Sequence, residues 1–337
     1  MDLAILVAAG SSVSAHIIPY AIILANTLLF KLLRSLINGL FAYYLARGNW
    51  RRRNNLLHFP RQGKARILKL FADELVSTCE LCADCAELNV VYERDGALAY
   101  GLLLFLLSYL WTEAFGEAQT TPAYLVEEYL LESGRPMLGS ADAYARFIGQ
   151  SLAAPLAWRF ASFYWKYQLL SEHQQMLLVE NCKSSLTTST TYGLAIELGC
   201  CFICRLVELV GHRLLESSAL SRRAVSLVSS FVCTTLVVLA LELSGGYFNP
   251  ILAASLEFGC KGIRFYQHAL VFWLGPILGH LLARSLFKAL APNSIDRQTP
   301  AGQGQSQRAN RRPSEQSQPE RRLTRSSFAR NTKQAID

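Results

Sequence analysis

Apolar residues gather along this chain in blocks whose lengths match the thickness of a bilayer. A helix needs about 20 mostly apolar residues to cross the hydrocarbon, and seven stretches reach that length: 17–45, 67–91, 97–118, 144–169, 192–214, 225–243 and 266–290. The first is interrupted by Lys31 and Arg34, and the last holds Pro276. Proline is tolerated in a span because neighbouring groups re-satisfy the freed carbonyl. The pattern predicts an all-α, multi-pass membrane protein. The N-terminus is not read as a cleavable signal peptide: it has no basic leading segment, and its apolar run before Gly10 is short.

The span 67–91 is the least apolar. Asp73, Ser77, Glu80, Asp84 and Glu87 recur at intervals of 4, 3, 4 and 3, which places them on one helical stripe. A charge at mid-bilayer costs about 2.5–3.5 kcal/mol or more, so this stripe cannot face lipid. It is expected to face the interior of a bundle; the alternative is an amphipathic helix lying at the interface.

Composition sharpens the picture. Of the 337 residues, 51% are hydrophobic and 17% charged, against roughly 25% charged in soluble domains. That excludes a collagen, a disordered chain and a small disulfide scaffold. The charge is also uneven: residues 292–337 hold nine Lys/Arg and four acids, and so carry +5 of the formal +8. This tail lacks a hydrophobic period and is expected to be disordered. Lys/Arg placement sets orientation. Arg47, Arg51, Arg52, Arg53, Arg61, Lys64 and Arg66 put the loop after the first span on the cytoplasmic side, and counting across seven spans puts the loop 213–223 and the tail there too.

Two short segments then stand out. Thr121-Pro122-Ala123 and Asn249-Pro250-Ile251 each follow an apolar span, and each places a capping residue directly before proline. Asn and Thr are good N-caps, and Pro suits the first helical position because its missing N–H would be unsatisfied there anyway. About ten fairly apolar residues follow, to Leu131 and to Gly259, too few to span. Each segment reads as a half-helix dipping into the membrane. A Glu-Leu pair opens an earlier span in both halves, at Glu74 and at Glu197, 48 residues before Pro122 and 53 before Pro250. Each half holds three spans and one half-helix. Three is odd, so the two halves insert upside down relative to each other. Inverted repeats with broken helices meeting at the midplane mark a permeation path.

These segments resemble the aquaporins. Asn249-Pro250-Ile251 is similar to the family's second Asn-Pro-Ala box, and Thr121-Pro122-Ala123, more loosely, to its first. Residues 273–279 resemble the family's last span, and 150–154 its third. The divergent boxes, the Phe248-Asn249-Pro250 context and Cys260 look like the unorthodox aquaporin-11 and aquaporin-12 branch. The likeness covers about residues 67–290. It implies six core transmembrane helices, two re-entrant half-helices and an extra N-terminal helix. The organisation is then 1–66, the added helix and a basic loop; 67–170, the first repeat; 171–190, a connecting loop; 191–291, the second repeat; and 292–337, the tail.

The resemblance also implies chemistry. Two half-helix N-termini, each carrying about half a positive charge, would repel cations and protons at the midplane. Asn249 through its amide and Thr121 through its hydroxyl would bind a passing oxygen. Glu74 and Glu197 resemble buried glutamates that support the re-entrant loops. At the filter, Leu252 stands where orthodox members carry Arg, beside Tyr100, Val237 and Gly246. A filter of Tyr100, Val237, Gly246 and Leu252 holds no fixed cation, which predicts passage of water and of neutral solutes such as glycerol or hydrogen peroxide. The likeness further implies a homotetramer in the lipid bilayer, and residence in an intracellular membrane, the endoplasmic reticulum ahead of the plasma membrane. A non-conducting protein that keeps the fold for interaction or organelle integrity, and a secondary transporter, are the alternatives.

Other features read plainly. The Cys79, Cys82 and Cys85 run spreads over about 120° of one helix with no evident fourth ligand, so packing explains it better than a metal. Cys260 is expected either to support packing or to have no special role. His280 could touch the pore, but a helix contact is the simpler reading. No phosphate loop, nucleophile elbow or triad is evident, so no enzyme and no cofactor are expected, and the membrane-adjacent basic residues do not suit nucleic acid. Ser314, after Arg311-Arg312-Pro313, resembles a basic-directed phosphorylation site whose phosphate would weaken contact with anionic lipid.

Overall fold

A computed structural model of the protein describes residues 3–53, 61–132, 140–177, 182–217 and 220–290. Ser314 and the tail 292–337 lie outside the described residues. Every element among them is helical. The first, α1 (Leu3–Arg53), is one continuous helix. Its stretch His16–Tyr44 is long and apolar enough to cross a membrane.

The next two expected spans form a single helical run, α2 (Arg61–Ala114), broken at Gly96, whose φ of 82° and ψ of 179° are not helical. Positive φ is easily reached only without a Cβ, so glycine is what lets the chain turn between the two limbs. The second limb ends at Ala114, four residues short of the expected boundary. A first half-helix, α3 (Pro122–Glu127), runs on into a π-helical turn, Glu128–Glu132. Then come α4 (Ala141–Trp165), the short α5 (Ser171–Leu177), α6 (Thr190–Glu216) and α7 (Arg222–Ser244). The second half-helix is α8 (Pro250–Glu257). The last span is built from α9 (Phe265–His268), a π-helical stretch (Ala269–Leu274) and α10 (Gly275–Leu290).

Besides α1, three helical segments are long and apolar enough to cross: Gly63–Ala114, Arg222–Ser244 and Phe265–Leu290. Helices α4 and α6 are equally long but more polar, because they carry Arg146, Gln150, Glu197, Arg205 and Glu208. Each of these side chains has a partner inside the bundle. The outer surface is apolar, with Leu98, Phe231, Leu239 and Leu290 all well exposed, as a lipid-facing surface must be.

The acidic stripe points inward, as expected, but towards α1, α4 and α5. Glu80 takes an ion pair from Arg34 of α1. Glu87 accepts from the indole N–H of Trp165 (2.8 Å) and lies 3.0 Å from His173 Nε2. Asp73, nearer the helix end, bonds Lys69 (2.5 Å). Helix α1 is also tied at its other end, where the Tyr20 hydroxyl donates to Asp95 (2.9 Å), and Phe30 packs edge-on to Phe160 of α4, centroids 5.6 Å apart.

Candidate permeation site

The two half-helices begin in the same way. Thr121 and Asn249 are N-caps with extended backbone (φ −143° and −145°). The Thr121 hydroxyl accepts from the N–H of Ala123 at 3.4 Å, and the Asn249 carbonyl oxygen from that of Ile251 at 2.9 Å. Pro122 and Pro250 open the helices, and Pro122, Ala123, Pro250 and Ile251 are buried. The residue before each cap is left-handed: Thr120 has φ 57° and Phe248 φ 51°. For residues with a Cβ this costs about 1–2 kcal/mol, so something must hold both turns.

That support comes from two glutamates. Glu74 accepts from the N–H groups of Gln119 (2.9 Å) and Thr120 (3.0 Å), and also from Arg146 (2.5 Å) and Gln150 (2.9 Å). Glu197 accepts from the N–H groups of Tyr247 (3.3 Å) and Phe248 (2.8 Å) and from the Ser244 hydroxyl (2.8 Å). In both halves the bonded amides are those one and two residues before the cap. Glycines let the neighbouring helix come close to each glutamate. A Cβ on Gly149 of α4 would lie 2.7 Å from the Phe71 carbonyl and 3.1 Å from Glu74 Cβ; one on Gly275 of α10 would lie 3.2 Å from Glu197 Cβ.

The two turns touch. The Asn249 side-chain amide donates to the Thr120 carbonyl at 2.9 Å, across 129 residues of sequence. Beside this bond runs a cavity of about 360 Å³, lined by Asn249, Thr120, Tyr100, Val237, Gly246 and Leu252 among others. All four residues expected at the filter therefore lie on one wall system. Gly246, at φ 59°, presses on Val237: a Cβ there would come within 2.8 Å of the Val237 carbonyl. Among the described residues lining the cavity there is no Lys, Arg or His, and the charged member is Glu208.

Thr121 is buried and caps α3, and its neighbour Thr120 is among the residues on the cavity wall. The hydroxyl of Thr121 accepts from the helix-end amide and keeps its own hydrogen. His280 is not on that wall. It packs edge-on to Tyr124, centroids 4.6 Å apart, with Nδ1 3.4 Å from Glu127.

Sequence reasoning missed three features. Glu127, near the end of α3, is buried and takes two bonds from Arg205 of α6, at 2.8 and 2.5 Å. Arg205 also bonds Glu208 (3.1 Å), which accepts from the Tyr124 hydroxyl (2.5 Å). A carboxylate at a helix C-terminus opposes the dipole, so this guanidinium is what makes the anchor stable. An arginine inside a span always demands a partner, and that was the available signal. The third miss is a disulfide, Cys182–Cys260, with Cα atoms 4.9 Å apart. It is flanked by backbone bonds from Ser184 to Lys261 and from Lys261 to Cys182 (2.9 and 3.0 Å). Cys182 and Cys260 sit in the two loops on one side of the bundle, outside the apolar stretches that hold the other cysteines, which was the readable clue. Among the described residues, no cluster of ligands fit for a metal ion occurs.

Comparison with known proteins places the chain among channels. It is 30% identical over 227 residues to aquaporin-11 of Milnesium tardigradum, covering 67% of this chain and 78% of that protein. It is 31% identical over 235 residues to aquaporin-12 of Mus musculus, covering 67% and 77%. With aquaporin-11 of Mus musculus the identity is 25% over 228 residues, 67% and 80% of the two chains. No family model matches the sequence.

Proposed function

Because the chain belongs to the aquaporin family, in its unorthodox aquaporin-11 and aquaporin-12 branch, we propose that it is a channel for water and small neutral solutes whose filter is Tyr100, Val237, Gly246 and Leu252. The observation that carries this reading is the cavity lined by those four residues beside the Asn249–Thr120 bond, with no cation on its described wall. Two half-helix N-termini turned to that point supply a positive potential that disfavours cations and protons. The Asn249 amide nitrogen has two hydrogens; one is held by Thr120, and the other is free to meet a passing oxygen. With leucine in place of arginine at 252, the constriction loses a donor and a charge. Glycerol and hydrogen peroxide then meet a wide, weakly polar throat. Glu74, Glu197 and Cys260 act as support and do not touch the permeant. The reading includes no catalysis and no cofactor.

The disulfide supports an oxidising compartment on the non-cytoplasmic side, which suits the lumen of the endoplasmic reticulum and equally the outside of the cell. Assembly as a homotetramer rests on family likeness.

Stopped-flow osmotic measurements on proteoliposomes test the proposal. A channel gives fast, non-saturating shrinkage with a low activation energy, and glycerol used as the osmolyte re-enters within the same experiment. Absence of flux would leave a non-conducting scaffold, and saturable, ion-dependent uptake would mean a carrier. Glycerol exclusion beside fast water flux would overturn the wide filter.

A further inference from the structure

Helix α1 presents two cations within one turn, and only one of them has a partner. Arg34 turns inward to Glu80. Lys31 is exposed and, among the described residues, has no hydrogen bond, ion pair or ring contact. It stands near the centre of the stretch His16–Tyr44 that is long and apolar enough to cross. The neighbouring residue fixes its depth. Phe30 belongs to the same buried cluster as Ile251, the second residue of α8, so both lie where the half-helices meet. In an inverted repeat that level is the middle of the bilayer, about 15 Å of hydrocarbon from either interface. A lysine escapes hydrocarbon by stretching its four-carbon stem towards the interface, and from this depth the stem is too short.

The exposed surface of α1 is not uniform. Leu29, Leu32, Leu36 and Leu40, spaced 3, 4 and 4, form one exposed flank that suits lipid. Lys31, Ser35, Asn38 and Ala42, spaced 4, 3 and 4, form an adjacent flank that is also exposed. Both spacings keep their residues on one side of the helix. The second flank is polar and carries small side chains, the composition by which transmembrane helices pack on one another. A Cβ on Gly39, beside it, would meet nothing within 4 Å, so there is room for a second helix to come close.

A lysine held in hydrocarbon calls for a carboxylate, and a second copy of this chain has none to offer at that depth. Among the described residues the exposed carboxylates are Glu93, Glu113, Glu117, Glu216 and Glu242. Each lies within three residues of a helix end or a turn. A symmetric contact between two α1 helices would set Lys31 against Lys31, and lipid phosphates stay at the interface. We propose that the Lys31 flank of α1 docks a transmembrane helix of a different protein, one that carries a carboxylate at mid-span, with Ser35 and Asn38 supplying hydrogen bonds beside the ion pair.

The test measures energy transfer in liposomes between the labelled full-length protein and a synthetic leucine–alanine helix, long enough to span, with one glutamate at its centre. Comparison helices carry glutamine at the centre or the glutamate at one end, and the series is run with and without phosphatidylserine. Transfer should saturate with the central glutamate. Glutamine or a terminal glutamate should weaken association by about 5- to 30-fold, the worth of one interhelical polar contact. Lys31→Leu should abolish the preference for glutamate over glutamine while the melting temperature in detergent is kept, and Lys31→Arg should retain it. Equal association of the glutamate and glutamine helices with the wild-type protein would overturn the proposal, and so would a preference that survives Lys31→Leu. Competition by phosphatidylserine would give Lys31 to a lipid headgroup, and disulfide cross-linking between copies, mapped to position 31 in Lys31→Cys, would make this flank a contact between copies; either result rejects the proposal. The glutamate–glutamine comparison needs only the wild-type protein, so it decides even if a variant misfolds, and it does not depend on whether the channel conducts.

Discussion

At the scale of single residues, the proposed filter turns on position 252. Leu252 lines the cavity with Tyr100, Val237 and Gly246, and a guanidinium there would bring five donors and a fixed charge onto the cavity wall. Leu252→Arg is expected to cut glycerol flux by at least 10-fold while leaving water flux within about 3-fold, read as separate light-scattering phases. Equal loss of both would mean that the side chain simply plugs the passage. The two supporting glutamates differ in a testable way. Glu197 faces only neutral donors, whereas Glu74 also faces the Arg146 guanidinium. A glutamine at 197 keeps an acceptor for the loop amides. The same change at 74 leaves a poorly solvated guanidinium without its counter-charge, a loss of the kind that costs several kcal/mol. Glu74→Gln should therefore lower the melting temperature in detergent more than Glu197→Gln, and the reverse order would remove the electrostatic account.

At the scale of elements, the first helix is tied to the second by a buried charge pair. Arg34 of α1 reaches Glu80 of α2, and both are largely buried; its guanidinium also sits 5.5 Å from the Phe115 ring centroid. Asn26 of α1 faces Asp84, whose carboxylate oxygens have no well-formed hydrogen bond. Breaking a buried pair from one side costs about 3–5 kcal/mol, whereas replacing both members with apolar residues is often neutral. Arg34→Leu alone should destabilise the protein strongly, and Arg34→Leu with Glu80→Leu should recover most of the loss. A double variant no better than the single one would show that α1 is held by something other than this pair. The same region shows how far the sequence could be read. The stripe of acids every three or four residues said that one face of α2 must be covered, and Arg34 is one of the residues that cover it. The half-helices were legible because cap-Pro pairs carry their own geometry. What could not be read was which neighbour each polar face meets. The stripe Leu81, Cys85 and Asn89 lines the cavity, while Glu80 and Asp84, each one residue before one of these, face α1, and Glu87 faces α4 and α5; a single sequence fixes periodicity but not that rotation.

At the scale of the whole molecule, the inverted repeat and the charge distribution make one joint statement about sidedness. Basic loops on the cytoplasmic face put the connecting loop and the segment after α8 on the other face, and those are the two segments joined by Cys182–Cys260. A disulfide persists where the compartment is oxidising, so its location agrees with the orientation that the arginines set. The bond also has mechanical consequences. It closes a 78-residue separation and fixes the strand-like pairing whose next residues, Ser184 and Ser185, bond Glu257 at the end of the second half-helix. Loss of a native disulfide typically costs about 2–5 kcal/mol. Cys182→Ser and Cys260→Ser should each lower thermal stability by a similar amount, and the double variant should lose no more than either alone, because all three lack the same bond. Sidedness follows from an alkylation gel shift on sealed microsomes with the cytoplasmic face outward. A membrane-impermeant reductant should leave this pair oxidised until detergent is added, after which two more thiols become modifiable. Reduction in the sealed vesicles would invert the orientation and, with it, the direction in which each half-helix enters the bilayer.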